Sequence, residues 1–355
     1  MLRVVRGSRH RSSVRSSVRP SRRRRAAILP ALAGLAAVAV AAVSVTDPDR
    51  DDARAAVVGA PTAACGSQAA AVAAHSAGLV ARRIYELELN SAEVRADRTQ
   101  VETNQRLLGA VASGEPAAIN SAVTALVFSG THIVRLRVTS GSKVLADVGG
   151  PYIIAPVGGA LRSGGRTVGH YVLSVQDDLG YVKLEQRFIG APLILRTAGQ
   201  RIPVEGTLPA AAASLPEDGP ASYHGQTLQA VSFRALAFPS SSLTVTLLLD
   251  AHATSTRPCI EVADAELARI GESVWRRYVM VGAPVTSYPH QLGSLTGALS
   301  FVRSGSRQLA GSATPAPALR DSGTVGYRGA TYRIYSFPSH LGAHRVRVYQ
   351  LLPAR

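Results

Sequence analysis

Lysine is almost absent from this sequence, occurring only at Lys143 and Lys183, so nearly all the basic charge is arginine. That is the codon bias of a genome rich in G and C rather than a sign of function. Aromatic residues are scarce, at 5%, which leaves Val, Leu, Ile and Ala to build the core. Cysteine is limited to Cys65 and Cys259. With no CxxC and no histidine nearby to complete a ligand set, these two thiols do not read as a metal site. The motifs of catalysis are missing as well: no GxSxG, HExxH, GxGxxG or Walker pattern occurs. Nine histidines are scattered, and only His340 and His344 stand close together, with "LGA" between them and a strand-like run after them arguing against a shared helical face. The sequence is therefore read as that of a non-enzyme, with no cofactor and no metal.

Three local patterns invite chemistry and are better explained by backbone. "SGSK", residues 140 to 143, formally matches Ser-x-x-Lys but bridges two strand-like runs and lacks the Ser-Asp-Asn and Lys-Thr-Gly elements that go with that nucleophile. "GGPY" (149 to 152) and "GGALRSGG" (158 to 165) have strand-like flanks instead of the helix N-terminus that a phosphate cradle needs, so they read as sharp turns. "SVQDDLGYVKLEQRF", residues 174 to 188, sets Asp177 and Asp178 between two alternating runs, which predicts a hairpin turn rather than an acid/base or metal pair.

The charge is uneven. Of the formal +16, ten arginines lie in the first 25 residues with no acid among them. Removing those ten leaves 29 basic residues against 23 acidic ones, an ordinary balance for a soluble surface. Directly after Arg22 to Arg25, residues 26 to 46 run 21 positions without a charge, enough to cross a bilayer as a helix. The far flank, "DPDRDD", is acidic, so the positive-inside rule puts residues 1–25 in the cytoplasm and the bulk of the chain outside. The basic run thus reads as a topology signal and not as a nucleic-acid site. A cleaved signal peptide is the alternative, because "AVS" at 42 to 44 offers small residues for cleavage; the protein is then secreted. Either way the rest is exported, and an even cysteine count outside the cytoplasm predicts a Cys65–Cys259 disulfide. Lipidation of Cys65 is the weaker rival, since "PTAAC" lies well downstream of the apolar run and lacks a leucine three residues before the cysteine.

Residues 47–64, with prolines near both ends, read as a linker. From Ser67 to about Ala112 there is no proline, and Val80, Leu87, Val94, Val101 and Leu108 recur every seven residues, reinforced by Ile84. That spacing predicts one long helix or two nearly collinear ones, with a stripe that packs on its own sheet or also dimerises. Arg82 with Glu86 and Glu102 with Arg106 are candidate pairs along it. After "SGEP" a short helix follows near 117 to 127. The period then changes to two: Ile133 to Val138 and Lys143 to Val148 predict a hairpin, with further strands near 168 to 176, 180 to 189, 192 to 196 and within 223 to 250. A second helix opens at Cys259, with Leu267, Ile270, Val274, Tyr278 and Val281 on one side.

The chain echoes itself. "RRIY" begins 17 residues after Cys65 and "RRY" begins 17 after Cys259, and "YHGQTLQAVSFRALAFPSSSLTVTLLL" parallels "YRGATYRIYSFPSHLGAHRVRVYQLLP". Either residues 65–250 and 259–353 are duplicated halves, or an Ala- and Gly-rich chain has matched by chance.

The order of membrane helix, long exported helix and antiparallel sheet resembles the Cache family, the extracytoplasmic PAS-like sensor domains of bacterial receptors. The likeness covers mainly residues 67–196, through "LRVTSGSKVLADVGGPY", "GGRTVGHYVLSVQDD" and "GYVKLEQRF". It implies an α+β fold: a Cache-like module over 65–250 with appended strands, and a smaller α+β half over 259–355. It also implies a small-molecule ligand, often a carboxylate or amino acid, held between the sheet and its covering loops. Arg135, Arg137, Tyr152 and Tyr171 are the candidate ligand-binding residues, since arginine and tyrosine suit a carboxylate. No kinase, cyclase or chemotaxis-type module follows, so a signal would pass through a separate partner or a homodimer of the long helix. The expectation is an extracytoplasmic sensor or binding protein. The alternative is a structural or interaction protein of the cell envelope with a vestigial pocket.

Overall fold

The computed structural model describes residues 63–129, 132–197, 200–202, 215–223, 225–251 and 254–354. The apolar run 26–46 lies outside them, and among the described residues no helix is long and apolar enough to cross a membrane.

The proline-free stretch forms three helices rather than one: α1 (Ala69–Leu89), α2 (Ala92–Thr103) and α3 (Gln105–Ser113). Polar residues that prefer caps to helix interiors make the breaks. The Ser91 side chain accepts a hydrogen bond from the Val94 amide at 3.1 Å, and Asn104 Oδ1 accepts one from Leu107 at 2.8 Å. The heptad positions still face inward, with Val80, Ile84, Val94, Val101 and Leu108 buried and Leu87 exposed. Arg82 and Glu86 pair at 3.0 Å as expected, but Glu102 pairs with Arg98 and Arg106 donates to Ser121. A fourth helix, α4 (Pro116–Val127), begins at a proline, which suits a first turn whose amides lack helical partners.

The first sheet holds β2 (Arg135–Ser140), β3 (Lys143–Gly149), β4 (Pro156–Ser163) and β5 (Arg166–Ser174) in the order β3-β2-β5-β4. β4 contains Gly158 and Gly159, read above as part of a turn, whereas Gly164 and Gly165 do turn the chain from β4 into β5. At the two strand positions a Cβ on Gly158 would meet the Tyr171 carbonyl oxygen at 2.9 Å and one on Gly159 the Tyr171 ring at 2.8 Å, so the smallness of Gly159 makes room for that ring. The expected strand over 180 to 189 is instead a helix, α5 (Asp178–Phe188), whose buried residues Tyr181, Val182, Glu185 and Phe188 follow a helical spacing.

Two five-stranded sheets follow. One has β6 (Leu193–Thr197), β7 (Gln200–Ile202), β8 (Gly219–Tyr223), β9 (Gln226–Ala237) and β10 (Ser241–Asp250) in the order β7-β6-β10-β9-β8. The other has β12 (Leu299–Ser304), β13 (Arg307–Gly311), β14 (Gly323–Tyr327), β15 (Ala330–Leu341) and β16 (His344–Pro353) in the order β13-β12-β16-β15-β14. Taken by position in the chain, both run second, first, fifth, fourth, third. The echoing segments 223–249 and 327–353 cover the fourth strand of each sheet and all or nearly all of the fifth, and Gly225 and Gly329, both with positive φ, come just before the fourth.

Each sheet has its own long helix. α1 packs on β9 and β10, while α6 (Cys259–Val281) packs on β15 and β16, joined by α7 (Tyr288–Thr296) against β12. A glycine brings each helix close: a Cβ on Gly78 would lie 2.9 Å from Val231, and one on Gly271 would run into the Gln350 side chain. α1 and α6 also pack on each other and begin at one place, where β1 (Ala64–Gly66) pairs with β11 (Ser255–Pro258) and Cys65 is bonded to Cys259.

Candidate functional site

The four sequence-predicted residues divide between the faces of the first sheet. Pairing sets Arg137 opposite Val172 and Val138 opposite Tyr171, so alternation sends the arginines to one face and Tyr171 to the other. On the arginine face, Asp147 takes both guanidinium groups: Arg135 approaches its two oxygens at 3.0 and 2.9 Å, and Arg137 reaches Oδ2 at 2.7 Å. Burial works to raise the Asp147 pKa, but hydrogen bonds from Arg135 and Arg137 and their charges overcome it, so the carboxyl lies below the ordinary aspartate range. Arg135 also stacks over Phe238, 4.2 Å from the ring centre, and donates to the Tyr152 carbonyl at 3.3 Å. On the other face the buried Tyr171 hydroxyl donates to Glu102 Oε1 at 2.6 Å, and burial with that acid pushes its phenol up to about 12. The structure therefore brings Arg135, Arg137 and the Tyr152 backbone together, and sets Tyr171 apart.

Phe238 leads away from this sheet. It stands at the tip between β9 and β10, and its amide donates to the Ile153 carbonyl at 2.9 Å, docking the second sheet on residues 151–155. Four further hydrogen bonds hold that segment. The Asp178 carboxylate accepts from the Ile153 and Ile154 amides at 2.9 and 3.2 Å, Ser174 donates to the Ile154 carbonyl, and the Ala155 amide donates to the Tyr85 hydroxyl at 2.9 Å. Tyr85 in turn donates to the Leu236 carbonyl on β9. One α1 side chain thus ties the segment after β3 to the second sheet, and its ring meets Tyr181 of α5 edge-on at 5.4 Å. Burial is the main cause that raises the Tyr85 pKa, so the phenol stays neutral and keeps its proton for Leu236.

The acidic pair of "SVQDDLG" has two separate duties here. Asp177 caps α5, accepting from the Gly180 amide at 2.6 Å, while the buried Asp178 turns inward to residues 153 and 154. Neither is at a hairpin tip, and the motif opens a helix.

Beside Tyr85 the surface opens into a groove of about 350 Å³ between α1 and β9. Tyr85, Leu89, Phe233, Ala235 and Leu236 give it apolar walls, and Arg82, Glu86 and Arg234 stand along it. A second groove, of about 560 Å³, lies along α7 and is lined by small residues such as Gly293, Ser294, Gly311 and Ser312 together with His290. Neither contains any of the four predicted residues. Among the described residues no cluster of three His, Cys, Asp or Glu side chains could hold a metal ion.

No family model and no curated protein matches the sequence. Among solved structures, the ligand-binding domain of the Pseudomonas fluorescens chemoreceptor CtaA in complex with L-alanine matches at 14% identity, covering 48% of this chain and 95% of that one, with a TM-score of 0.28. The periplasmic domain of Vibrio cholerae LuxQ matches at 9% identity over 79% of this chain and 99% of its own, with a TM-score of 0.18. The ligand-binding domain of the Pseudomonas aeruginosa PAO1 amino-acid chemoreceptor PctC, in complex with GABA, matches at 13% identity over 76% and 96%, with a TM-score of 0.13.

Tyr85, the residue that joins most of these parts, is not among the sequence candidates. Its only sequence signal is its place in "RRIY", the segment echoed at Arg276. Asp178 stands out in the sequence, but the backbone amides that donate to it lie 24 and 25 residues upstream, which no local pattern reveals.

Proposed function

We propose that this chain is an extracytoplasmic ligand-binding or sensor protein and that its small-molecule site is the groove between α1 and β9. The observation that carries the reading is the position of Tyr85. It forms one wall of the groove and at the same time hydrogen-bonds Leu236 and Ala155, so a ligand filling the groove presses on the residue that couples α1 to both sheets. Apolar walls with a few charged groups at the rim suit a small organic ligand carrying a carboxylate or an amine. Residues 26–46 serve as the membrane anchor in this reading, with residues 1–25 on the cytoplasmic side and 47–64 as the linker. The two sheets of equal strand order are the products of a duplication, and the first half has acquired the extra sheet.

A second reading, an envelope interaction protein with a vestigial pocket, is favoured by the arginine face of the first sheet. There Asp147 and Phe238 already occupy the guanidinium groups that a ligand would need. Thermal-shift screening separates the two. Residues 52–355, which form one compact unit, are melted with amino acids, organic acids and cell-wall fragments. A ligand that binds the folded state raises Tm, by about 2.7 kcal/mol of stabilisation at a hundredfold excess over Kd. If no compound shifts the transition, the sensor reading is abandoned for the second.

A further inference from the structure

α5 carries a carboxyl group with no visible means of support. Glu185 is fully buried, and among the described residues neither of its carboxylate oxygens has a well-aligned hydrogen-bond partner. The Tyr181 hydroxyl, one turn earlier on the same helix and also fully buried, faces this carboxyl without a well-aligned hydrogen bond. An ionised carboxylate in such a place is strongly disfavoured, so a buried acid lacking a cation is kept neutral instead.

Among the described residues, the groups around it supply no cation. On α1, Glu88 acts on Glu185 through its charge, and Tyr85 stands against the Tyr181 ring. On α6, which packs against α5, Arg269 is occupied: it pairs with Glu266 at 2.6 Å and donates to the Ile189 carbonyl at 2.7 Å. At the N-terminal end of α5, Asp178 is engaged with the Ile153 and Ile154 amides. Burial above all pushes the Glu185 carboxyl well above the glutamate range, the Glu88 charge adds to the rise, and the Tyr181 hydroxyl opposes it. Glu88 is itself raised, by burial and then by the charge of Glu93.

We infer that Glu185 is a proton-held latch: α5 seats against α1 and α6 with this carboxyl neutral, and loosens when it ionises beside Glu88. The consequence reaches the junction, because α5 carries Asp178, which holds residues 153 and 154, and Tyr181, which packs on Tyr85. The protein thereby responds to external pH through a site separate from the groove, whatever the groove binds. The sign follows from linkage. The folded-state pKa lies above the unfolded value of about 4.3, so the seating is complete below that value and is lost as pH rises through the folded pKa.

Hydrogen exchange of the full-length chain, followed by mass spectrometry between pH 5 and pH 9 and corrected for intrinsic rates, tests this. In the wild type, opening of residues 178–189 is expected to increase by up to about tenfold per pH unit above the unfolded value of about 4.3 and to level off once the folded pKa is passed. In Glu185→Gln, which keeps the shape and removes the charge, protection is expected to stay constant. Glu88→Gln, which removes the neighbouring charge that helps raise the Glu185 pKa, is expected to move the wild-type transition to lower pH. Protection of α5 that is flat in the wild type, or a pH dependence in Glu185→Gln equal to that of the wild type, overturns the proposal.

Discussion

Asp147 carries two arginines on the first sheet, and its removal leaves them side by side without an anion. Asp147→Ala is expected to lower stability by about 1–3 kcal/mol in urea unfolding, the usual cost of stranding partly buried polar partners. Its pH behaviour has the opposite sign to that of Glu185. The folded pKa of Asp147 is depressed, so its contribution is present above the unfolded value of about 3.9 and is lost as pH falls through the folded one. Acid unfolding of the wild type is expected to show this loss below about pH 4, and Asp147→Ala to lack it. At this scale the sequence was legible in type and not in partnership. Arg135 and Arg137 stand on one strand face, as alternation requires, but that Asp147 and Phe238 meet them depends on a strand register and on a hairpin tip about 100 positions away.

At the scale of elements, local chemistry decided more than periodicity. The seven-residue spacing identified the buried stripe of α1 to α3 except at the exposed Leu87, and it missed the breaks, because Ser91 and Asn104 cap new helices without disturbing the buried apolar positions. "DDLGYVKLEQRF" fits both periods: Val182, Leu184 and Gln186 alternate, while Tyr181, Val182, Glu185 and Phe188 share a helical side. The cap at Asp177 and the burial of that side settled it as α5. Asp177→Ala is therefore expected to cost about 1 kcal/mol, read as lower thermal stability. Tyr85→Phe keeps the ring against Tyr181 and removes both hydrogen bonds. It strands the Leu236 carbonyl and the Ala155 amide, for an expected loss of about 1–3 kcal/mol in urea unfolding.

For the whole molecule, the echo around Cys65 and Cys259 was visible in sequence as two spacings of 17, and the structure gives it a physical form. Two long helices leave one disulfide, each against a sheet of the same strand order. The four-stranded sheet of β2 to β5 was legible only as strands, since nothing local tells a strand which sheet it will join. The disulfide spans a sequence separation of 194, so in the chain-entropy picture its loss costs about 4–5 kcal/mol. The Cys65→Ala/Cys259→Ala variant is expected to melt well below the wild type, and peptide mapping without reduction to recover the two cysteines linked.

The groove beside Tyr85 is the centre of the account, and calorimetric titration of a compound taken from the thermal-shift screen tests it most directly. Two variants are compared with the wild type: Ala235→Trp, which fills the groove, and Val172→Trp, which crowds the arginine face of the first sheet. The expected result is that Ala235→Trp abolishes binding and Val172→Trp preserves it. Binding that survives Ala235→Trp and is lost in Val172→Trp would place the ligand on the first sheet and contradict the assignment.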